Sequence, residues 1–208
     1  ELVMVTRYNS GNGDLEVQFM PGGYSGKGSV GPTQDLVDAF GDNAGYPITA
    51  SSVYDAATPY LNRDPRFYAT IFYNGSTYKQ NNTGSTWYTF NTVTGGTDAS
   101  GPSTNTRTNY YIKKFCSLGY NLKASSPTRP ARAKFLIRYA HMVLTFAEAA
   151  NHVVGPTDAT EYGMSAQDAL QILRYRRSNF DYYNGLGGAT PPATPDTYLA
   201  AQAAAGEV

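Results

Sequence analysis

Six aromatic side chains, Tyr46, Tyr54, Tyr73, Tyr78, Trp87 and Tyr88, fall in or beside stretches rich in Gly, Ser, Thr and Asn. A ring in such a stretch either plugs a core or offers a flat face. On an exposed face the C–H side of a sugar can stack, while its hydroxyls bond to neighbouring polar groups. Trp87, the single tryptophan, is open to both readings; as a platform it would draw on Asn81, Asn82 and Arg107 for hydrogen bonds. A second constellation, Asn62-Arg63-Asp64-Pro65-Arg66-Phe67-Tyr68, sets two arginines around an Asp-Pro step. It is expected to be a rigid corner in which the arginines meet carboxylates or carbonyls, not a catalytic group.

Other motifs carry less chemistry. Asp35, Asp38 and Asp42, or Asp55 and Asp64, supply carboxylates for general acid–base work on a glycan, but nothing in the spacing sets two of them across one bond. Asp42-Asn43 is a possible calcium ligand outside any EF-hand register, and no other cofactor is expected. Gly26-Lys27-Gly28-Ser29-Val30-Gly31 fits G-x-G-x-x-G. It lacks a strand running into its first glycine and a helix opened by its last, so it reads as a flexible loop without nucleotide. His141 and His152 stand eleven residues apart on one expected helix, ~16 Å along its axis and too far for one metal. The lone Cys116 excludes an internal disulfide.

The 208 residues carry 16 basic and 16 acidic side chains, a formal charge of zero. That balance argues against nucleic acid, whose binders show a basic field. Charged residues are only 15%, with 18 tyrosines and abundant Asn, Thr, Ser and Gly in their place, which suits a neutral polar ligand. No stretch has the ~18 apolar residues of a membrane-crossing helix. The chain opens on Glu1 and ends on Gly206-Glu207-Val208, and is expected to be an internal piece of a longer protein.

These residues must be positioned by an irregular first part and a helical second part. Leu2–Tyr8 reads as a strand, and Leu15–Met20 alternates with the period of a half-buried strand. Pro21–Gly31, with five glycines, is loop. Thr33 caps a helix bearing Asp35, Leu36, Val37 and Phe40 and ended by Gly41. Arg66–Tyr73 is expected to be a strand closed by an Asn74-Gly75 hairpin turn. Thr77–Gly101 is a long excursion or a set of short strands, and Tyr110–Phe115 a further strand. The spacing of Leu136, Tyr139, Ala140, Val143, Ala147 and Ala150 predicts a helix over Lys134–Asn151, stopped by Gly155-Pro156. Ser165-x-x-Asp168 opens a second helix, to about Arg177, buried through Ala169, Leu170, Ile172 and Leu173. After a loop over 184–195, Thr194-Pro195-Asp196 opens a third helix to Gly206.

Four of these blocks, in order, carry a resemblance: Pro32–Phe40, Pro59–Ile71, Tyr110–Phe115 and Arg138–Asn151. Together they resemble the SusD/RagB family of surface lipoproteins from Bacteroidetes. The resemblance implies a mainly α-helical fold of tetratricopeptide-type helix pairs, with an irregular, loop-rich α+β part that builds the binding region. It implies that 1–208 is part of one SusD-like domain, with 1–130 the binding subregion and 131–208 the helical one. Early helices, a lipidated N-terminal cysteine and a C-terminal block would then belong to the rest of the same protein. His141 stands where the family often has an acid. The family binds a glycan, or in RagB-like members a peptide, at the extracellular face of the outer membrane. It hands the nutrient to a SusC-like TonB-dependent transporter and has no catalytic residues; a glycan hydrolase is the reading from another class. The family's habit of placing stacking aromatics on either side of the Asn-Arg-Asp-Pro-Arg block singles out Trp87, Tyr46 and Tyr54, with Tyr78, Tyr88, Asn81 and Arg107 beside them.

Overall fold

A computed structural model of the chain describes residues 3–9, 14–79, 86–117, 119–124 and 132–173. The expectations for Asn81, Asn82, the end of the second helix, the loop over 184–195 and the third helix lie outside these residues. In chain order the elements are β1 (Val3–Asn9), α1 (Asp14–Phe19), α2 (Gln34–Asp38), α3 (Pro65–Thr70), β2 (Ile71–Phe72), β3 (Thr77–Lys79), β4 (Trp87–Thr89), β5 (Tyr111–Ile112), β6 (Arg132–Arg138) and α4 (Tyr139–Val154). A further helix begins at 166 and is described to 173. Among the described residues strands pair as three two-stranded sheets, β1 with β6, β2 with β5 and β3 with β4. The chain forms two compact units, Tyr8–Ala133 and Glu1–Arg7 with Lys134–Val208, so the first strand groups with the helical part.

In the unit over 8–133, side chains of β2 and β5 enter two aromatic clusters. Phe72 and Tyr111 join Met20, Tyr24, Tyr78, Phe90, Tyr120 and Leu122 in one. Ile71 joins Val37 and Phe67 in the other, with Tyr60, Tyr68, Tyr73 and Tyr110 packed against it. The antiparallel register Ile71↔Ile112 and Phe72↔Tyr111 holds the ribbon between them. Consecutive strand residues point to opposite faces, so a two-residue ribbon is enough to serve both clusters.

Several expected elements differ. Leu15–Met20 contains a helix, α1, in place of a strand. Its inward side chains are Glu16, Phe19 and Met20, at helical spacing, and the fully buried Glu16 accepts the Ser117 N–H at 2.8 Å. A pattern counted from apolar residues alone leaves Glu16 out and therefore favours period two. Arg66–Tyr73 is mostly α3, followed by the two-residue β2. Asp64 caps α3 by accepting the Arg66 N–H, and Pro65 takes the first helical turn, where its missing N–H costs nothing. The turn at Asn74-Gly75 exists, but β2 pairs with β5 and β3 with β4, so it joins two sheets and makes no simple hairpin. Residues 134–138 are strand, and the helix begins at Tyr139. The run Phe135-Leu136-Ile137 favours a strand, and its partner is β1.

The glycine loop is pinned. Gly28 N–H reaches the Met20 carbonyl at 2.8 Å and Lys27 N–H the Val17 carbonyl at 2.7 Å. A Cβ on Gly26 would lie 2.0 Å from the Met20 carbonyl oxygen, and one on Gly28, which is at φ +53°, would lie 2.7 Å from the Asn105 backbone. These glycines allow close backbone approach, and the amides of Lys27, Gly28 and Ser29 are engaged by carbonyls of their own chain.

The other local signals hold. Thr33 Oγ accepts the Leu36 N–H at 3.2 Å, and Gly155 ends α4 at φ +90°. Ser165 and Asp168 form the reciprocal capping box, Asp168 N–H to Ser165 Oγ at 3.1 Å and Ser165 N–H to Asp168 at 3.2 Å. In the helical unit Val143, Ala147 and Ala150 pack on Ala166 and Ala169.

Candidate functional site

The β3–β4 ribbon pairs Thr77↔Thr89, Tyr78↔Tyr88 and Lys79↔Trp87. Strand alternation then sorts the candidates. Tyr78 and Tyr88 point to the aromatic cluster, and Trp87, Thr77 and Thr89 to solvent. Trp87 is 54% exposed, so the structure makes the tryptophan a surface ring.

Tyr78 is corrected to a core residue. It is 1% exposed, its ring meets Tyr24 edge-on at 5.5 Å, and its hydroxyl donates to the Ser117 and Tyr120 carbonyls. No face remains for a ligand. Tyr88 is half-buried against Tyr24 at 4.8 Å, and its hydroxyl donates to Asp98 Oδ1. Burial, then the Asp98 carboxylate, raises that hydroxyl well above the ordinary phenol value. Asp98, fully buried, also accepts the Asn91 N–H at 2.9 Å. Lys123 places its ammonium 5.3 Å from the Tyr88 ring and 5.9 Å from the Tyr24 ring.

Tyr46 and Tyr54 belong to the Asn62–Arg66 corner. Asp42 and Tyr46 are joined twice, by the Asp42 N–H to the Tyr46 carbonyl at 2.8 Å and by the Tyr46 N–H to the side-chain Oδ1 of Asp42 at 2.9 Å. Tyr54 lies with its ring centre 5.5 Å from the Arg63 guanidinium. Asn62 adopts φ +55° and donates from its amide to the Val53 carbonyl at 3.3 Å. Arg63 is 2% exposed; its guanidinium donates to the Val37, Phe40 and Pro59 carbonyls and lies 4.7 Å over the Phe67 ring. Its Nε–H is buried without an acceptor. Asp64 binds Arg66 through both oxygens, at 2.9 and 2.6 Å. The block is thus a corner that ties α2 to α3.

Asp42 does not offer a calcium site. Oδ1 accepts the Ala44 and Tyr46 N–H groups and Oδ2 the Ser51 hydroxyl, so donor hydrogens stand where a cation would bind. Burial raises its carboxyl, but the bonds from Ser51, Tyr46, Ala44 and Gly45 outweigh that and hold it below the usual value. Among the described residues no group of three His, Cys, Asp or Glu side chains suits a metal. His141 and His152 are both exposed on α4. Cys116 is half-buried, and burial pushes its thiol up to about 12. Arg107 is exposed in the loop that follows Asn105, whose amide holds the Thr97 and Ala99 carbonyls.

The candidates therefore fall in two places, Trp87 with Tyr88 on the β3–β4 ribbon and Tyr46 with Tyr54 at the corner. Sequence reasoning missed Lys79 beside Trp87, whose signal is the two-residue alternation of Trp87-Tyr88-Thr89-Phe90 matched to Thr77-Tyr78-Lys79. It also missed the tyrosines around Phe67, where Tyr60 lies 4.4 Å from Tyr73 and 6.4 Å from Tyr110.

Two solved structures are similar to this chain in fold. A SusD-like protein from Bacteroides fragilis matches with a TM-score of 0.66 at 24% identity, over 97% of this chain and 39% of its own. A SusD-like carbohydrate binding protein from the same organism gives 0.56 at 17% identity, over 93% of this chain and 36% of its own. The fold is SusD-like. The sequence pattern of the SusD family matches residues 4–183, and the chain belongs to that family. It spans about two fifths or less of the length of these two neighbours. No curated protein matches it significantly.

Proposed function

We propose that the chain is part of a cell-surface protein that binds a glycan and delivers it to a SusC-like TonB-dependent transporter, without catalysing a reaction on it. The exposed Trp87 carries this reading. An indole 54% exposed on a strand, with Thr77 and Thr89 on the same face, leaves apolar area in water that a stacked sugar ring would cover. Membership of the SusD family and the similarity to a SusD-like carbohydrate binding protein support it. The proposed place is the extracellular face of the outer membrane, reached through a lipid on a cysteine of the full-length protein. No described helix is long and apolar enough to cross a membrane.

A binding role rather than hydrolysis is supported by the buried carboxylates. Asp42, Asp64 and Asp98 each direct their oxygens to donors of their own chain, which leaves them poorly placed to work as an acid–base pair. Trp87→Ala in the full-length protein tests the reading by affinity electrophoresis on a glycan panel. Loss of one stacking contact of ~1 kcal/mol should weaken retention roughly fivefold, with no release of reducing ends from any glycan. Unchanged retention on every glycan would remove Trp87 from the site, and reducing-end release that tracks the protein would overturn the binding role.

A further inference from the structure

The zero net charge of the chain conceals a strong segregation inside the unit over 8–133. Residues 8–64 hold seven acidic side chains and two basic ones, whereas residues 65–133 hold eight basic and one acidic. That single acid, Asp98, is fully buried and engaged by the Tyr88 hydroxyl and the Asn91 N–H, so it presents no charge to solvent. Of the basic residues, Arg66 is paired with Asp64. Lys79, Arg107, Lys113, Lys114 and Lys123 have no carboxylate within ion-pair distance among the described residues. Three of them rest on rings: Lys113 over Phe72, Lys114 over Phe115 and Lys123 over Tyr88.

The ribbon that carries Trp87 lies in this basic stretch. Lys79 is the direct cross-strand partner of Trp87, which sets their Cβ atoms ~5 Å apart. The Lys79 carbonyl accepts the Gly119 N–H at 3.1 Å, and Tyr78 bonds the Ser117 and Tyr120 carbonyls. These bonds seat the segment that bears Lys123 along the same strand. A ring stacked on Trp87 would therefore hold its substituents beside an ammonium group that has no ion-paired carboxylate among the described residues.

We infer that the ligand of the Trp87 face is an anionic glycan, one whose sugars carry carboxylate or sulfate groups, with Lys79 the residue that selects it. The inference rests on the glycan-binding reading of that face. An ammonium on a flexible stem serves as a point charge for either kind of anion, and Thr77 and Thr89 add hydroxyls on the same face.

Biolayer interferometry of the full-length protein on immobilised polygalacturonate, dextran sulfate and the neutral polymers dextran, mannan and xylan tests it. At least one anionic polymer should be held tenfold or more tighter than every neutral one, the carboxylate and sulfate arms showing which anion is preferred. Raising NaCl from 0.05 to 0.5 M should remove most of that margin, because the Debye length falls well below ~10 Å. Lys79→Gln should reduce the margin about fivefold with an unchanged thermal midpoint, and Trp87→Ala should weaken binding as well. Equal or tighter retention on a neutral polymer, or an unchanged margin in Lys79→Gln, overturns the inference and leaves the glycan reading standing. Anion binding indifferent to Trp87→Ala overturns both at this face, since it would be charge attraction alone. Retention on none of the five polymers also overturns the inference.

Discussion

Arg63 shows how a residue that looks reactive is used up by structure. A guanidinium 2% exposed needs its charge balanced. Here the balance comes from the carbonyls of Val37 and Phe40 at the end of α2, from the Pro59 carbonyl and from the faces of Phe67 and Tyr54. A helix C-terminus carries partial negative charge, which suits a buried cation. The planar fork lets one side chain serve three carbonyls, so Arg63→Lys should recover only part of what Arg63→Ala loses. Arg63→Ala should cost roughly 3–5 kcal/mol, three carbonyls losing a donor at once. Urea unfolding monitored by tyrosine fluorescence checks this, and a lysine variant within about 0.5 kcal/mol of wild type would show that the fork is not needed. The corner itself was legible, because Asp-Pro and flanking arginines are local chemistry. The roles of Trp87 and Tyr78 were harder to separate. Both are aromatic residues in polar surroundings, and only the pairing of β3 with β4 sends one to water and the other to the core.

At the scale of elements, the local signals that name a specific hydrogen bond were read correctly: the Thr33 cap, the Ser165–Asp168 box and the Gly155 stop. The readings that failed were periodicity counts over short apolar runs. In α1 the buried face includes Glu16, and in Arg66–Tyr73 a single turn and a half of helix runs into a two-residue strand. Segments of six to eight residues fit both periods, and tertiary pairing then decides. For α3 the deciding local feature is Asp64, whose Oδ1 accepts the Arg66 N–H at 2.8 Å. Its ion pair with Arg66 is a lesser matter, since the Arg66 side chain is 64% exposed. Asp64→Ala should therefore cost about 1–2 kcal/mol as a lost cap, whereas Arg66→Gln should stay within about 1 kcal/mol of wild type. Thermal unfolding of the two variants separates them. Equal losses would mean that the ion pair, and not the cap, fixes the start of α3.

At the scale of the whole chain, the family blocks were visible in order because each is a contiguous local motif, while the grouping of β1 with the helical unit depends on a pairing across more than 120 residues. The described residues of the two units differ in what they bury. The unit over 8–133 holds both aromatic clusters, with Phe72, Phe90, Tyr24, Tyr78 and Tyr111 fully inside. Each such ring removes ~150–250 Å² from water. The described core of the other unit is Val143 with four alanines, which bury far less area per residue. A polypeptide of residues 8–133 should accordingly unfold in one cooperative urea transition and keep a near-ultraviolet circular dichroism signal, because its tyrosines are fixed edge-to-face at 5–6 Å. Residues 134–173 by themselves should show helical far-ultraviolet signal at most, without a sharp transition, since one contact between two helices, Val143 and four alanines with Phe146, Met164, Leu170 and Leu173 packed against them, buries too little to offset chain entropy. A featureless near-ultraviolet spectrum from 8–133 would mean that the aromatic clusters depend on the rest of the chain, and that Trp87 is displayed by the full-length assembly and not by its own unit.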